Sequence, residues 1–252
     1  MKKILTRWVY RVVAGLVRLF YRRPEVLGAQ NLPPDPCIIV GNHAQMNGPI
    51  VAELYLPGAP WIWCNAEMMH LKEVPDYAYA DFWSKKPLGI RWFYRLLSYV
   101  IAPLSVCVFN NARCIGVYRD GRVMGTLRAS IERMDAGSNI VIFPEHEVPH
   151  NPIVWDFQEG FVNLARMYAR RTDAPVCFVP MYVAPALGRV FLGEPVRFDP
   201  SAPPEDERRR ICEALMDAIT AMAVAQPRHR VVPYPNLPRH AYPWNAPDKE
   251  HP

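Results

Sequence analysis

Short apolar runs alternate with longer stretches of three-to-four-residue periodicity along most of this chain. Residues 37–41, 61–64, 114–118, 139–143, 176–183 and 189–192 are brief and rich in β-branched, aromatic or other apolar side chains, and they read as strands. Between them, residues 49–56, 122–134, 157–171 and 205–225 set apolar positions on one helical face, with Gly137 as a stop signal after the second. Weaker helical signals fill the region from 65 to about 104. Strands alternating with helices predict an α/β domain, a mixed, largely parallel sheet flanked by helices. Ligands of such sheets gather at the strand ends.

The two ends of the chain have a different pattern. In residues 1–23, Ile4, Leu5, Trp8, Val9, Val12, Val13, Leu16, Val17, Leu19 and Phe20 recur every three or four positions. Arg7, Arg11, Arg18 and Arg22, spaced by 4, 7 and 4, share the opposite face. That describes an amphipathic helix, favoured as one lying in a membrane interface over one packed on the domain. Arg11 and Arg18 break the apolar stretch, so it is too short to span a bilayer, and no small-residue cleavage site marks it as a signal peptide. A second apolar stretch, residues 96–109, has Pro103 at its centre and is also too short to span. It reads either as a buried kinked helix or as an element dipping into the membrane, and Trp92, Phe93, Tyr94 and Tyr99 favour the second. Residues 227–252 are rich in proline and aromatics and predict an extended or loose tail. The expected organisation is an interfacial helix (1–24), one α/β domain (25–226) and a tail (227–252).

Composition narrows the partners. Half of the 252 residues are hydrophobic, which supports a packed core rather than disorder. The net charge of +5 is concentrated at the N-terminus, where residues 1–24 hold seven basic side chains and no acid. A nucleic-acid-binding domain would carry that charge through its body. A basic helix on a near-neutral body instead fits an anionic membrane surface, each basic residue adding about 1 kcal/mol of attraction. The six cysteines show no CxxC spacing and read as reduced thiols of a cytosol-facing protein.

The richest chemistry follows the strand at 37–41, where Gly41-Asn42-His43 puts an imidazole at the sheet rim. A second histidine cluster, His146-Glu147-Val148-Pro149-His150, spells the zinc-protease signature. That chemistry needs both histidines on one face of a helix. Pro144 and Pro149 disfavour a helix there, so no metal site is expected and His146 is read as an acceptor contact.

With the strand ends placed, four blocks in order resemble the glycerophospholipid acyltransferases, the family of bacterial 1-acyl-glycerol-3-phosphate acyltransferases. Asn42-His43 followed by Gly48-Pro49 resembles the family's Asn-His-x4-Asp-Pro block. The run from Ile115 to Tyr118 and on through Arg119-Asp120-Gly121-Arg122 resembles the block that ends in an acceptor-binding arginine. Phe143-Pro144-Glu145 resembles Phe-Pro-Glu-Gly, and Val179-Pro180-Met181 the fourth block. Phe157-x-x-Gly160 resembles the start of the helix between the last two. The resemblance implies a glycerol-3-phosphate acyltransferase-like fold. It also implies a peripheral enzyme on the cytoplasmic face of the cell membrane, moving an acyl group from acyl-CoA or acyl carrier protein to a lysophospholipid or glycerol phosphate, without a further cofactor. His43 would be the general base, Arg119 and Glu145 acceptor contacts, with Arg122 and His146 beside them.

The chain departs from the pattern where the chemistry lies. Gly48 stands in place of the aspartate that would orient His43, His146 in place of the glycine after the glutamate, and Gln158 in place of a lysine. Three side chains are candidates to serve His43: Glu147 and Asp156 from the loop after the third block, and Asn47. A loop carboxylate is favoured over Asn47, because an amide brings no charge, and in a serine-protease triad the acid-to-amide swap costs roughly 10⁴ in rate. The alternative is a catalytically silent lipid-binding or scaffold protein of the same fold.

Overall fold

The computed structural model describes residues 2–84, 87–118, 121–172 and 175–246. In chain order the helices are α1 (Lys2–Phe20), α2 (Asn47–Leu54), α3 (Val74–Ala78), α4 (Arg91–Phe109), α5 (Val123–Asp135), α6 (Val162–Thr172) and α7 (Pro204–Val224). The strands are β1 (Glu25–Leu27), β2 (Ile38–Gly41), β3 (Trp61–Asn65), β4 (Cys114–Val117), β5 (Ile140–Ile142), β6 (Glu145–Pro149), β7 (Trp155–Phe157), β8 (Cys177–Ala184), β9 (Arg189–Leu192) and β10 (Val196–Arg197). The chain forms two compact units, one of Met1–Arg22 with Trp61–Ala129 and one of Arg23–Pro60 with Ser130–Pro252.

The second unit carries the larger part of the sheet, in the order β1-β9-β8-β2-β5. Strand β2 runs parallel to both neighbours, with Ile39 opposite Val141 on β5 and Val179 on β8. Ile38, Ile39 and Val40 are fully buried, as expected of an apolar run covered on both faces. Only β9 and β10 run antiparallel to β8, so the sheet is mixed and largely parallel, as the alternating pattern predicts. Helix α7 packs on β8, burying Ile211, Leu215 and Ile219. The charge run at its start is not wholly solvated: Glu207 is buried, pairs with Arg210 at 2.6 Å and accepts the Asp199 main-chain N–H at 2.7 Å.

Two segments of this unit differ from the sequence pattern. Residues 145–149 and 155–157 form a separate antiparallel hairpin, β6 with β7, so Phe157 ends a strand and the helix starts only at Val162. Pairing with β6 draws Phe157 into a strand, and Glu159–Phe161 make a 3-10 turn before α6. The described part of the tail, residues 227–246, is neither loose nor simply extended but doubles back on itself. His229 is buried, its Nδ1 donating to the Pro227 carbonyl at 2.8 Å and its Nε2 accepting from the Tyr182 hydroxyl at 2.7 Å. Asn245 accepts the His229 main-chain N–H at 2.8 Å and donates to the Ala223 carbonyl at 2.9 Å. Arg230 and Trp244 form a bridge, and the Arg228 and Arg230 guanidinium carbons each lie 4.0 Å from the Trp244 ring centroid.

In the first unit β3 and β4 pair in parallel. Helix α4 packs on α3 through Val74, Ala78 and Ala102, and on α1, where the Cys107 thiol donates to the Thr6 carbonyl at 3.2 Å. Thr6, Val9, Val13 and Val17 of α1 are half-buried, while Leu5, Trp8, Val12, Leu16 and Leu19 remain exposed. On α4, Trp92, Leu96, Tyr99, Val100 and Leu104 are exposed likewise. The α4 helix begins earlier than the apolar run, at Arg91, and keeps Pro103 within it. With the turn before it, Leu88–Phe109 is long and apolar enough to cross a membrane by length and composition.

Candidate functional site

The site forms where β2 ends, inside the second unit. Two devices fix that end. Gly41 lets β2 approach β8 closely, since a Cβ there would lie 3.0 Å from the Met181 carbonyl oxygen. The buried Asn42 amide then accepts the Val183 N–H at 2.7 Å and donates to the Val183 carbonyl at 3.2 Å. The asparagine of the Asn-His block thus clamps two strands together and leaves the next side chain at the rim.

After His43 the chain turns sharply. Ala44 and Gln45 have φ of 46° and 56°, left-handed values that cost a non-glycine residue about 1–3 kcal/mol each. The first turn of α2 holds this strain in place. The Gly48 N–H donates to the His43 carbonyl at 3.0 Å, and the Asn47 side chain donates to the Ala44 carbonyl at 2.8 Å.

Glu145 grips the same turn from β6. It is buried, with one carboxylate oxygen accepting the His43 main-chain N–H and the other accepting the Trp155 N–H at 3.0 Å. Burial pushes its pKa up to about 7, with the two main-chain donors pulling the other way. The carboxylate is therefore spent on main-chain groups, and Glu145 positions His43 rather than reaching outward to an acceptor.

The His43 ring stands between two aromatic edges. Phe143 lies 5.3 Å away at 65°, and Tyr234, from the tail, 5.9 Å away at 85°. Trp155 flanks Tyr234 at 6.3 Å. The ring keeps some solvent exposure, but its Nδ1 is sealed without a hydrogen-bond partner. Burial lowers the imidazole pKa, and the Gln45 main chain offsets this in part without making a proper hydrogen bond to Nδ1. The ring is thus neutral near pH 7, the form a general base requires.

Among the described residues no side chain orients this ring through Nδ1, neither Asn47, nor Glu147, nor Asp156. Asp156 accepts instead from His146, whose Nε2 lies 3.1 Å from its Oδ2. Strand alternation fits this: Glu145 turns toward the His43 main chain, so the next residue, His146, and its partner Asp156 stand on the other side of the hairpin. The charge of Asp156 is felt at Cys212 of α7, whose thiol is raised by burial first, then by Glu159 and Asp156. Glu147 is exposed on β6. The His146–His150 segment is mostly strand, not the helix that zinc ligation would need. Arg122, in the first unit, is exposed with its guanidinium 4.1 Å from the Tyr118 ring centroid, and Arg119 lies outside the described residues.

Gly48 explains why no acid stands at that position. A Cβ built there would lie 2.7 Å from the His43 carbonyl oxygen and 2.7 Å from Cε1 of Phe143. Phe143 fills the space a carboxylate side chain would enter. Tyr234 had no signal beyond being an aromatic residue between two prolines in the tail.

A family model for acyltransferases matches residues 23–184, which include β2, Glu145 and the whole of β8. Among solved structures, the chain is similar to the crystal structure of the 1-acyl-sn-glycerophosphate (LPA) acyltransferase, PlsC, from Thermotoga maritima. The two are 17% identical over 90% of this chain and 85% of that one, with a TM-score of 0.49. No curated protein matches the sequence.

Proposed function

The chain belongs to the acyltransferase family, and on that premise we propose that it moves a fatty acyl group from acyl-CoA or acyl carrier protein to a hydroxyl of a lysophospholipid or glycerol phosphate. The observation that carries this reading is a neutral, partly exposed His43 held at the sheet rim by a buried carboxylate on its own main-chain N–H. His43 takes the acceptor hydroxyl proton as the oxygen attacks the thioester carbonyl carbon. The carbon–sulfur bond then breaks, and the thiol leaves with the proton that His43 returns. The imidazolium formed in between has no carboxylate beside Nδ1 to stabilise it. Turnover is accordingly slow for this chemistry, since losing such an acid costs about 10⁴ in a serine-protease triad.

The same reading sets the protein peripherally on the cytoplasmic face of the membrane. The exposed apolar stripes of α1 and α4, with Arg7, Arg11 and Arg18 beside the stripe on α1, suit the boundary between headgroups and acyl chains. Gly48 and the unpartnered Nδ1 favour one alternative, a silent lipid-binding or scaffold protein. The test gives membranes containing the protein labelled acyl-CoA and a panel of lysolipids. Transfer to any member supports the enzyme; no transfer with tight lysolipid binding intact supports the silent form.

A further inference from the structure

The family match ends at residue 184, yet residues 227–246 return to the site. We propose that this C-terminal strap is a working part of the active site, with Tyr234 and Gln45 as positioning residues that orient His43 where the motif carboxylate is missing. The proposal rests on reading His43 as the base.

The strap is anchored at both ends. His229 is hydrogen-bonded to Tyr182 of β8, and Asn245 ties back to His229 and to the end of α7. Val231 and Pro233 are buried between these anchors, and Pro233 and Pro235 restrict the backbone on either side of Tyr234. Tyr234 therefore reaches the site as a braced side chain rather than as part of a drifting tail. Its ring and that of Phe143 wall the imidazole on two sides, with Trp155 packed against Tyr234, leaving the imidazole few alternative orientations.

Gln45 couples the strap to the strained turn. Its Nε2 donates to the Pro235 carbonyl at 3.3 Å, and its Oε1 accepts from the Tyr242 hydroxyl at 3.4 Å. Each contact is long and individually weak, but together they brace a left-handed residue two positions after the base. A carboxylate would orient the imidazole by a charged hydrogen bond to Nδ1. Here the wall contacts and the braced turn hold it, and Nδ1 stays dry. Glu145 is the charged group that touches this turn, through the His43 main-chain N–H.

The test uses the full-length protein with Tyr234→Phe, Tyr234→Ala and Gln45→Ala, reading the His43 ring titration by NMR (assigned with His43→Gln) together with kcat and KM for the acceptor. Tyr234→Ala admits water to the ring, so its pKa rises toward the ordinary imidazole value. In the same variant kcat falls on the order of 10- to 100-fold with KM little changed. Tyr234→Phe keeps the wall and leaves both near native. Gln45→Ala lowers kcat with the same sign of titration shift. If Tyr234→Ala does not fold, Gln45→Ala carries the test alone by the same readouts. An unmoved His43 titration and unchanged kcat in the folded variants overturn the proposal. A native protein that transfers no acyl group, but whose His43 titration moves as stated, sinks the acyl-transfer reading and leaves the strap's hold on the ring standing.

Discussion

Putting aspartate at position 48 would complete the motif the sequence resembles, and the structure says the repair fails. The new Cβ would sit 2.7 Å from the His43 carbonyl oxygen and 2.7 and 3.0 Å from Cε1 and Cζ of Phe143. The oxygen is main chain and already accepts the Gly48 N–H at 3.0 Å. It can retreat only by opening the turn at Ala44 and Gln45. Phe143 can retreat only by leaving the His43 ring it walls. Overpacking of this kind costs about 1–3 kcal/mol. For a chain of this size each kcal/mol moves the midpoint by about 2–4 °C, so a fall of roughly 2–12 °C is expected. Thermal unfolding of the native protein, Gly48→Ala and Gly48→Asp separates the causes, because alanine adds the Cβ without the acid. Both variants should lose comparable stability, and neither should gain turnover. A Gly48→Asp protein that melts with the native one and turns over faster would refute the steric argument and show that the site has room for an acid.

Three further outcomes follow from the geometry. Glu145→Gln presents one acceptor oxygen to two main-chain N–H donors, so one donor loses its partner and the denaturant midpoint should fall by the equivalent of about 1–3 kcal/mol. The pH dependence has a definite sign. Glu145, raised from 4.5 to about 7, adds stability that is complete below 4.5 and lost as pH rises through about 7. His43, lowered from 6.5, adds stability that is complete above 6.5 and lost as pH falls below it. Between about pH 6.5 and 7.5 the Glu145 contribution therefore falls with rising pH, and that slope should be absent from urea titrations of Glu145→Gln. Asp156→Asn and Glu147→Gln should leave turnover near native, while Asn47→Ala, which loses the bond to the Ala44 carbonyl, should slow it; the opposite ranking in initial-rate assays would return a loop carboxylate to His43. Deleting residues 1–22 should release the protein from anionic vesicles in a sedimentation assay, and retention would move the anchor to α4.

What could be read from the sequence follows what is local. Strands β2 and β8 are apolar runs covered on both faces, so they declare themselves. Asn42-His43 at the end of β2 is equally visible, because strand, turn and helix start lie within a dozen residues. The hairpin β6–β7 was not visible: Glu145-His146-Glu147 has no strand pattern, and only pairing with Trp155–Phe157 makes it one. That miss carried the acid assignment with it, since alternation on the hairpin turns Asp156 away from His43 and toward His146. The sequence resemblance makes Glu145 an acceptor contact, whereas its carboxylate turns inward to main-chain donors. Its inward direction depends on two orphan main-chain N–H groups that appear only once the turn exists. The tail was the largest gap. Its prolines imply an extended or loose chain, but residues 227–246 double back through the Arg230–Trp244 bridge, and what Tyr234 touches is set by that closure and by the anchor at Tyr182, far away in sequence.

The central claim is that an imidazole held by aromatic walls, with no acid behind it, removes a proton from a lipid hydroxyl. Single-turnover transfer of a labelled acyl group by native protein and by His43→Ala, both loaded with the best acceptor from the panel, tests it most directly. The account expects the rate to fall by about 10²–10⁴ while acceptor binding is kept. Equal rates in the two proteins would contradict it and assign the proton transfer to another group.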